Sequence, residues 1–494
     1  MKAIRLFTLC LLLSVSFYAK GETYNLTLEQ SIEIAKEQSY TMRKLVQELR
    51  IAEYNLKAVT SRQKTHINMN MSLPRYDETV RQRTDSTGVF FSVKELTYST
   101  GLEINQPLPT DGNISVQSGV SSFRNYYDGG LQSSNLFTRM EFRQALDALY
   151  GYNSIKAAIK NAELDHERAS RRLKREELGL VSYVSRSYYL LLSHQKNAEI
   201  ALLNLERQTE AYEISKNKYD AGLIREVDAL QMEVDLAEAQ SNYDISLINQ
   251  SSELNSFKDL IGINLDDIVI LNGELSYKIV IVDPEMAVRL ALENRSEIRE
   301  QEISIEQQKL DLKRQKTQGM IRGNLNAYVE KVGFNSSETN MNILNSIENS
   351  YNNFTDRPYS YGVGFTISIP IFDWGENRAY VRAAETRVRL STLNREDQQR
   401  SIETEVRNIV ASIGSNLKRL QLLEKNVSVA EKSFEITLQR FSDGDIDSQA
   451  LALERARLNN AYTSHLGAYI SYQMTLTDLM RATLYDFQNE TPAE

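Results

Sequence analysis

"NKYDAGLIREVDALQMEVDLAEAQ", residues 217–240, places one glycine between two long helical runs, where the chain has to reverse. The chain writes the same pattern again as "QRFSDGDIDSQALALERARLNNAY", residues 439–462. At an offset of 222, Tyr219 aligns with Phe441, Gly222 with Gly444, Ile224 with Ile446 and Leu236 with Leu458. The helices leading into the two tips repeat as well. Ala198, Leu202, Leu205, Thr209, Tyr212, Lys216 and Tyr219 follow a 4-3 rhythm, and so do Leu420, Glu424, Val427, Glu431, Phe434, Leu438 and Phe441. A seven-residue period of this kind predicts coiled-coil packing.

The duplication extends to the start of each half. "LEQSIEIAKEQSYTMRKLVQELRIAEYNLK" (28–57) matches "PEMAVRLALENRSEIREQEISIEQQKLDLK" (284–313). This sets a first repeat at 22–265, a linker at 266–283, a second repeat at 284–487 and a polar tail at 488–494, read as disordered. Each repeat runs helix, strands, long helix, turn, helix. The first helix ends near Lys64, and the first-half strands fall within about 66–146. "HINMNMSLPRY", "YSTGLEINQPL", "NISVQSGVSSF" and "LFTRMEFRQAL" alternate with period two, and "PTDGN" between the middle pair is a hairpin turn. The second-half strands fall within about 324–372 and number only two, "GNLNAYVEKVGF" and "YSYGVGFTISIPIF", separated by an Asn/Ser-rich loop at 335–357 read as solvent-exposed. The first half therefore holds an extra hairpin at 88–125, which either enlarges a barrel or caps it. The helical hairpins span about 153–262 and 376–487. The proline-free run 153–219 would extend about 100 Å as a helix, so the chain reads as rods joined to short strands.

Composition narrows the classes. The chain has 494 residues, 41% hydrophobic and 25% charged, with a net charge of -9 that argues against nucleic acid as a partner. Residues 1–21 read as a signal peptide: Lys2 and Arg5, the apolar run Leu6–Phe17, then small residues at Ala19 and Gly21. The single cysteine, Cys10, lies inside that run, which continues past it and so weakens a lipoprotein reading. No later run reaches the length of a spanning helix, so membrane insertion would require a closed barrel.

With the duplication, the paired tips and the helix-strand-helix order in hand, the sequence resembles the outer-membrane efflux protein family, the TolC-like channels. The junction "ISIPIFDWGENRAYVRAA" (367–384) is similar to the family's strand-to-helix pattern through Pro370, Ile371, Phe372, Asp373, Gly375 and Asn377. "RQALDALYGYNSIKAA" (143–158) is a looser copy that keeps Gly151 and Asn153 but has Ala145 in place of the proline. The resemblance implies a mainly α chain with membrane β-strands, assembled as a homotrimer. Its strands would form one barrel in the outer-membrane lipid of a Gram-negative bacterium, and its helices an α-barrel tunnel into the periplasm. It also implies a periplasmic adaptor (membrane fusion) protein and an inner-membrane transporter, a proton-driven or ABC pump or a secretion ATPase, for which the chain would be the passive exit duct of a tripartite efflux or type I secretion system. The alternative is an exported coiled-coil rod without a pore.

By the same resemblance the adaptor would dock on Gly222, Leu223 and Ile224 and on Gly444, Asp445 and Ile446. Read as residues alone, the two glycines are equally good as ordinary helix caps. Asp228, Asp443 and Asp447 are candidates for a gate or constriction, since threefold repetition would gather carboxylates that attract cations and raise one another's pKa. As single residues they read equally well as solvated charges. The family's acidic constriction positions fall here on Ala450 and Leu453. No catalytic, cofactor or metal site is expected: His66, His166, His194 and His465 are scattered, and no nucleotide-binding loop or nucleophile elbow is present. Met69 and Met71 read as one face of a strand, and Tyr126, Tyr127, Tyr359 and Tyr361 as interfacial or cross-strand aromatics.

Overall fold

The computed structural model describes residues 23–82, 90–126, 130–273, 275–337 and 342–492. The segment 1–21 read as a signal peptide, with Cys10, and Tyr127 lie outside the described residues.

Each half opens with a pair of helices where the sequence suggested one. α1 (Leu28–Gln38) begins with a capping box made by Thr27 and Gln30. It stops at Ser39, whose extended backbone breaks the run and whose Oγ accepts from the Met42 N–H at 3.3 Å. α2 (Tyr40–Ser61) follows. In the second half, α6 (Pro284–Asn294) is N-capped by Asp283 with proline in its first turn, Arg295 makes the same extended break, and α7 (Ser296–Gln318) continues. A capping serine and an extended link are invisible to a periodicity that runs on through both.

β1 (Thr23–Leu26) pairs in parallel with β6 (Ile268–Leu271), so the linker between the repeats carries a strand. The long helices are α4 (Ser154–Asp220), of 67 residues, and α9 (Glu376–Asp443), of 68. Their return partners, α5 (Glu226–Ile261) and α10 (Ser448–Thr483), have 36 residues each. A single turn, α3 (Asp147–Tyr150), precedes α4.

Six strands form one sheet: β2 (His66–Gln82), β3 (Phe90–Pro107), β4 (Gly112–Asn125), β5 (Gln132–Ala145), β7 (Arg322–Ser337) and β8 (Ser360–Ser368), in the order β2-β3-β4-β5-β7-β8. Every adjacent pair is antiparallel. At the β3–β4 turn, Asp111 takes φ 66° and the Leu108 N–H donates to the Gly112 carbonyl at 2.8 Å. Asp111 then accepts from the Ser154 N–H (3.0 Å) and Oγ (2.7 Å), tying that turn to the start of α4.

Two expectations are corrected. The supposed exposed loop 335–357 contains α8 (Ile343–Asp356), N-capped by Asn342, which lays buried Ser346 and Ser350 against the sheet. Asparagines and serines hid its amphipathic face, formed by Ile343, Ile347 and Phe354. The tail is also ordered as far as Pro492, where β10 (Thr491–Pro492) pairs with β9 (Tyr485–Asp486).

In space the chain divides into two units that do not follow the sequence halves. One comprises the described parts of Met1–Glu48, Arg171–Arg299 and Glu396–Glu494; the other is Leu49–Ser170 and Glu300–Arg395. Each unit draws on both repeats. The first has the larger helical core, in which Val184, Phe257, Ile261, Ala287, Val406 and Leu479 are wholly buried. Burying one such large side chain contributes about 1.5–3 kcal/mol. Tyr472, also wholly buried, satisfies its hydroxyl by donating to the Lys278 carbonyl at 2.8 Å and accepting from the Val280 N–H at 3.2 Å.

Candidate functional site

Both hairpin tips close by the same backbone device. At the first, the Gly222 N–H donates to the Tyr219 carbonyl and the Leu223 N–H to the Lys218 carbonyl, both at 2.8 Å. At the second, the Gly444 N–H donates to the Phe441 carbonyl (3.1 Å) and the Asp445 N–H to the Arg440 carbonyl (2.9 Å). This is the Schellman cap, whose pivotal residue is left-handed; Gly222 has φ 70° and Gly444 φ 87°. Gly222, Leu223, Gly444 and Asp445 are exposed, while Ile224 and Ile446 are half-buried.

The acidic candidates divide by role. Arg225 donates through Nε (3.1 Å) and Nη2 (3.0 Å) to Asp228, and this hydrogen bond and charge hold the Asp228 carboxyl below its ordinary range. Within one chain the shift is thus opposite to the rise expected from a carboxylate ring, because Arg225 is paired with this carboxylate. Asp447 is the N-cap of α10, accepting from the Ala450 N–H at 2.9 Å. Asp443 accepts from the neutral amide of Gln439 at 3.3 Å. Beside this tip, Asp447, Gln449, Ala450, Ala452 and Leu453 line an open recess of about 520 Å³. The two family constriction positions, Ala450 and Leu453, are among them.

The hairpins pack on each other through Ala211, Met232, Phe434, Phe441, Leu451 and Leu458. Here the duplication is broken. Phe441 is 3% exposed, yet its counterpart Tyr219 is 41% exposed. On α4 the covered seam near the tip is Gln208, Ala211 and Ser215, one residue before the rhythm read from the sequence. The small side chains of Ala211 and Ser215 admit a close neighbour, and Gln208 donates to the Met232 carbonyl at 3.2 Å. Polar links complete the seam. Lys218 donates to the Phe441 carbonyl, with its ammonium 4.7 Å from that ring's centre. Asn459 donates to Asn204 at 2.7 Å, and Arg455 to Asp235 at 3.0 Å. Sequence reasoning missed all of these. Lys218 left a trace, since Arg440 occupies the matching place in the second copy; the others left none.

The sheet has two faces of opposite character. Register partners share a face. On one face Ile67, Ile104, Val116, Met140, Val329 and Tyr361 form a row across all six strands. A parallel row on the other face reads Asn68, Glu103, Gln117, Arg139, Glu330 and Ser360. Gln117 donates to Glu103 (3.3 Å) and Arg139 to Glu330 (3.1 Å), with the Arg139 guanidinium 4.4 Å from the Tyr328 ring centre. Ile67, Met69, Tyr361, Val363 and Phe365 on the apolar face are all more than half exposed. Exposed apolar rows backed by hydrogen-bonded charges suit lipid on one side and water on the other. α8 lies on the apolar face at the strand ends far from the helices, packed so closely that a side chain at Gly333 would meet the Ser350 carbonyl and Phe354.

An antiparallel sheet with one exposed apolar face, on a chain that also carries paired capped helical hairpins, defines an outer-membrane channel protein. The outer membrane efflux protein profile matches residues 142–256 and 287–483, and the chain belongs to that family. Its fold is that of solved outer-membrane channel proteins. The outer-membrane channel OprN is 18% identical (TM-score 0.67, covering 92% of this chain and 89% of that one). VceC from Vibrio cholerae is 14% identical (TM-score 0.67, 94% and 97%), and CmeC from Campylobacter jejuni 16% identical (TM-score 0.64, 94% and 86%). No curated protein matches in sequence. The chain is an outer-membrane exit duct of an efflux system, extending into the periplasm.

Proposed function

We propose that the duct works as a homotrimer, and that its hairpin tips receive a periplasmic adaptor which connects it to an inner-membrane pump, proton-driven or ABC. The chain itself catalyses nothing: it conducts, and its partners supply direction. The observation that carries the docking reading is the pair of matching caps, Gly222–Leu223 and Gly444–Asp445, exposed side by side with the recess at Ala450 and Leu453. Quasi-equivalent tips in a threefold ring would offer an adaptor ring two similar seats per copy.

Uncovered apolar stripes support the assembly. Leu422, Val429 and Ile436 on α9 are spaced by seven and are 66%, 60% and 63% exposed. Val227, Leu230 and Val234 on α5 are 69%, 51% and 62% exposed. Seams of that period are made to receive another helix. Of the gate candidates, Asp443 is favoured over Asp228 and Asp447, whose carboxylates are already engaged by Arg225 and by the start of α10.

Docking is tested by Gly222→Val and Gly444→Val in pull-downs of the cognate adaptor, with trimer content checked in parallel; unchanged capture retires the assignment. Conduction is tested in planar bilayers, where discrete steps are expected and silent traces from folded trimer count against it.

A further inference from the structure

The hairpin that distinguishes the first repeat is part of the wall. β3 and β4 lie inside the six-strand order, paired along their length, and their side chains continue both the apolar and the polar rows. This leaves β2 and β8 as the sheet's two edges. Because the six strands alternate in direction, β2 and β8 run opposite ways. Their usable lengths also correspond. β2 pairs regularly with β3 over His66–Ser72 and again over Arg75–Gln82; the first stretch ends at an irregularity between Ser72 and Arg75 that contains Pro74, which has no N–H to donate. β8 runs Ser360–Ser368 and is followed by Pro370.

Both edges carry exposed apolar side chains on the lipid face: Ile67, Met69 and Met71 on β2, Tyr361, Val363 and Phe365 on β8. At that depth each unpaired backbone group costs several kcal/mol, so the edges need partners. Pairing β8 with β2 of the same chain would close a six-stranded barrel. Even eight strands leave room only for side chains, and this polar face holds Glu103, Arg139, Glu141 and Glu330, which need water. The fitting occupant is therefore a second copy.

We propose that β8 of one copy pairs antiparallel with β2 of the next, so that three copies close a barrel of eighteen strands, six from each. This rests on the threefold assembly proposed above. Barrels of that size enclose an aqueous channel, and the Glu103–Gln117–Arg139–Glu330 row becomes a repeated charged band around its inside.

Cys10 is the only cysteine, so engineered pairs report without background from the mature wall. Met69→Cys is combined in turn with Tyr361→Cys, Val363→Cys, Phe365→Cys and Ile367→Cys in the full chain in outer membranes, oxidised and run without reductant. At least one combination is expected to give covalent dimers and trimers. Gly362→Cys and Gly364→Cys, on the opposite face, are expected to give none with Met69→Cys. The native mass of the extracted, unsubstituted protein separates the two readings. A trimer in which Met69→Cys stays silent with all four positions overturns the eighteen-strand wall alone, as does cross-linking of β8 to Val116→Cys on β4. A monomer overturns the wall and the assembly together.

Discussion

Arg455 on α10 donates to Asp235 on α5 across 3.0 Å, with only 16% and 11% of the two side chains exposed. It is an ion pair between the two hairpins, shielded enough that neither partner is well served by water if the other is removed. Asp235→Asn or Arg455→Ala is expected to cost about 1–3 kcal/mol. The exchanged double variant Asp235→Arg/Arg455→Asp should recover part of that loss, which a thermal-melt double-mutant cycle would measure. Additive losses would mean that the contact carries no coupling.

The tip glycines hold left-handed backbone, a conformation that costs a residue with a Cβ about 1–2 kcal/mol. Gly222→Val and Gly444→Val should therefore speed amide exchange at the tips, while Gly222→Asn, which tolerates that conformation, should sit between them and the unsubstituted chain. Equal exchange in all variants would show that the caps do not depend on glycine.

Glu297 predicts a pH dependence. Burial pushes its carboxyl up, but the Arg295 hydrogen bond at 2.7 Å and charge outweigh this and hold it below the ordinary value of 4.5. A depressed folded pKa means stabilisation that is complete above the unfolded value and is lost as pH falls through the lower folded one. Glu297→Gln should thus lower the melting temperature at neutral pH, by an amount equivalent to about 1–3 kcal/mol. The gap to the unsubstituted chain should narrow only below pH 4.5. A gap independent of pH would remove the charge from the explanation.

Gly333 is where α8 touches the sheet, and a Cβ there would run into the Ser350 carbonyl and Phe354. Gly333→Val is expected to displace α8 at a cost of about 1–3 kcal/mol and to open the segment around Ile343–Asp356 to external protease on intact cells. Resistance equal to the unsubstituted chain would mean that the helix is held elsewhere.

For the proposed gate, Asp443→Asn is expected to lower cation selectivity in single-channel recordings more than Asp228→Asn, whose carboxylate is already matched by Arg225. The reverse order would move the constriction to the first hairpin.

Local features were legible along the chain. Helix period and the absence of proline specified α4 and α9; the need for positive φ specified Gly222 and Gly444; two-residue alternation specified the strands. Each depends on neighbours a few residues away, so each can be read along the chain. Tertiary structure decided what depends on partners far along it. It broke the opening helices at Ser39 and Arg295 and drew α8 out of a polar loop. It also buried Phe441 while leaving Tyr219 exposed, because the neighbouring helices pack against α4 one residue off the sequence rhythm, covering Gln208, Ala211 and Ser215. Strand order belongs to the same class: alternation marks each strand, but only backbone pairing could place β3 and β4 inside the six-stranded sheet.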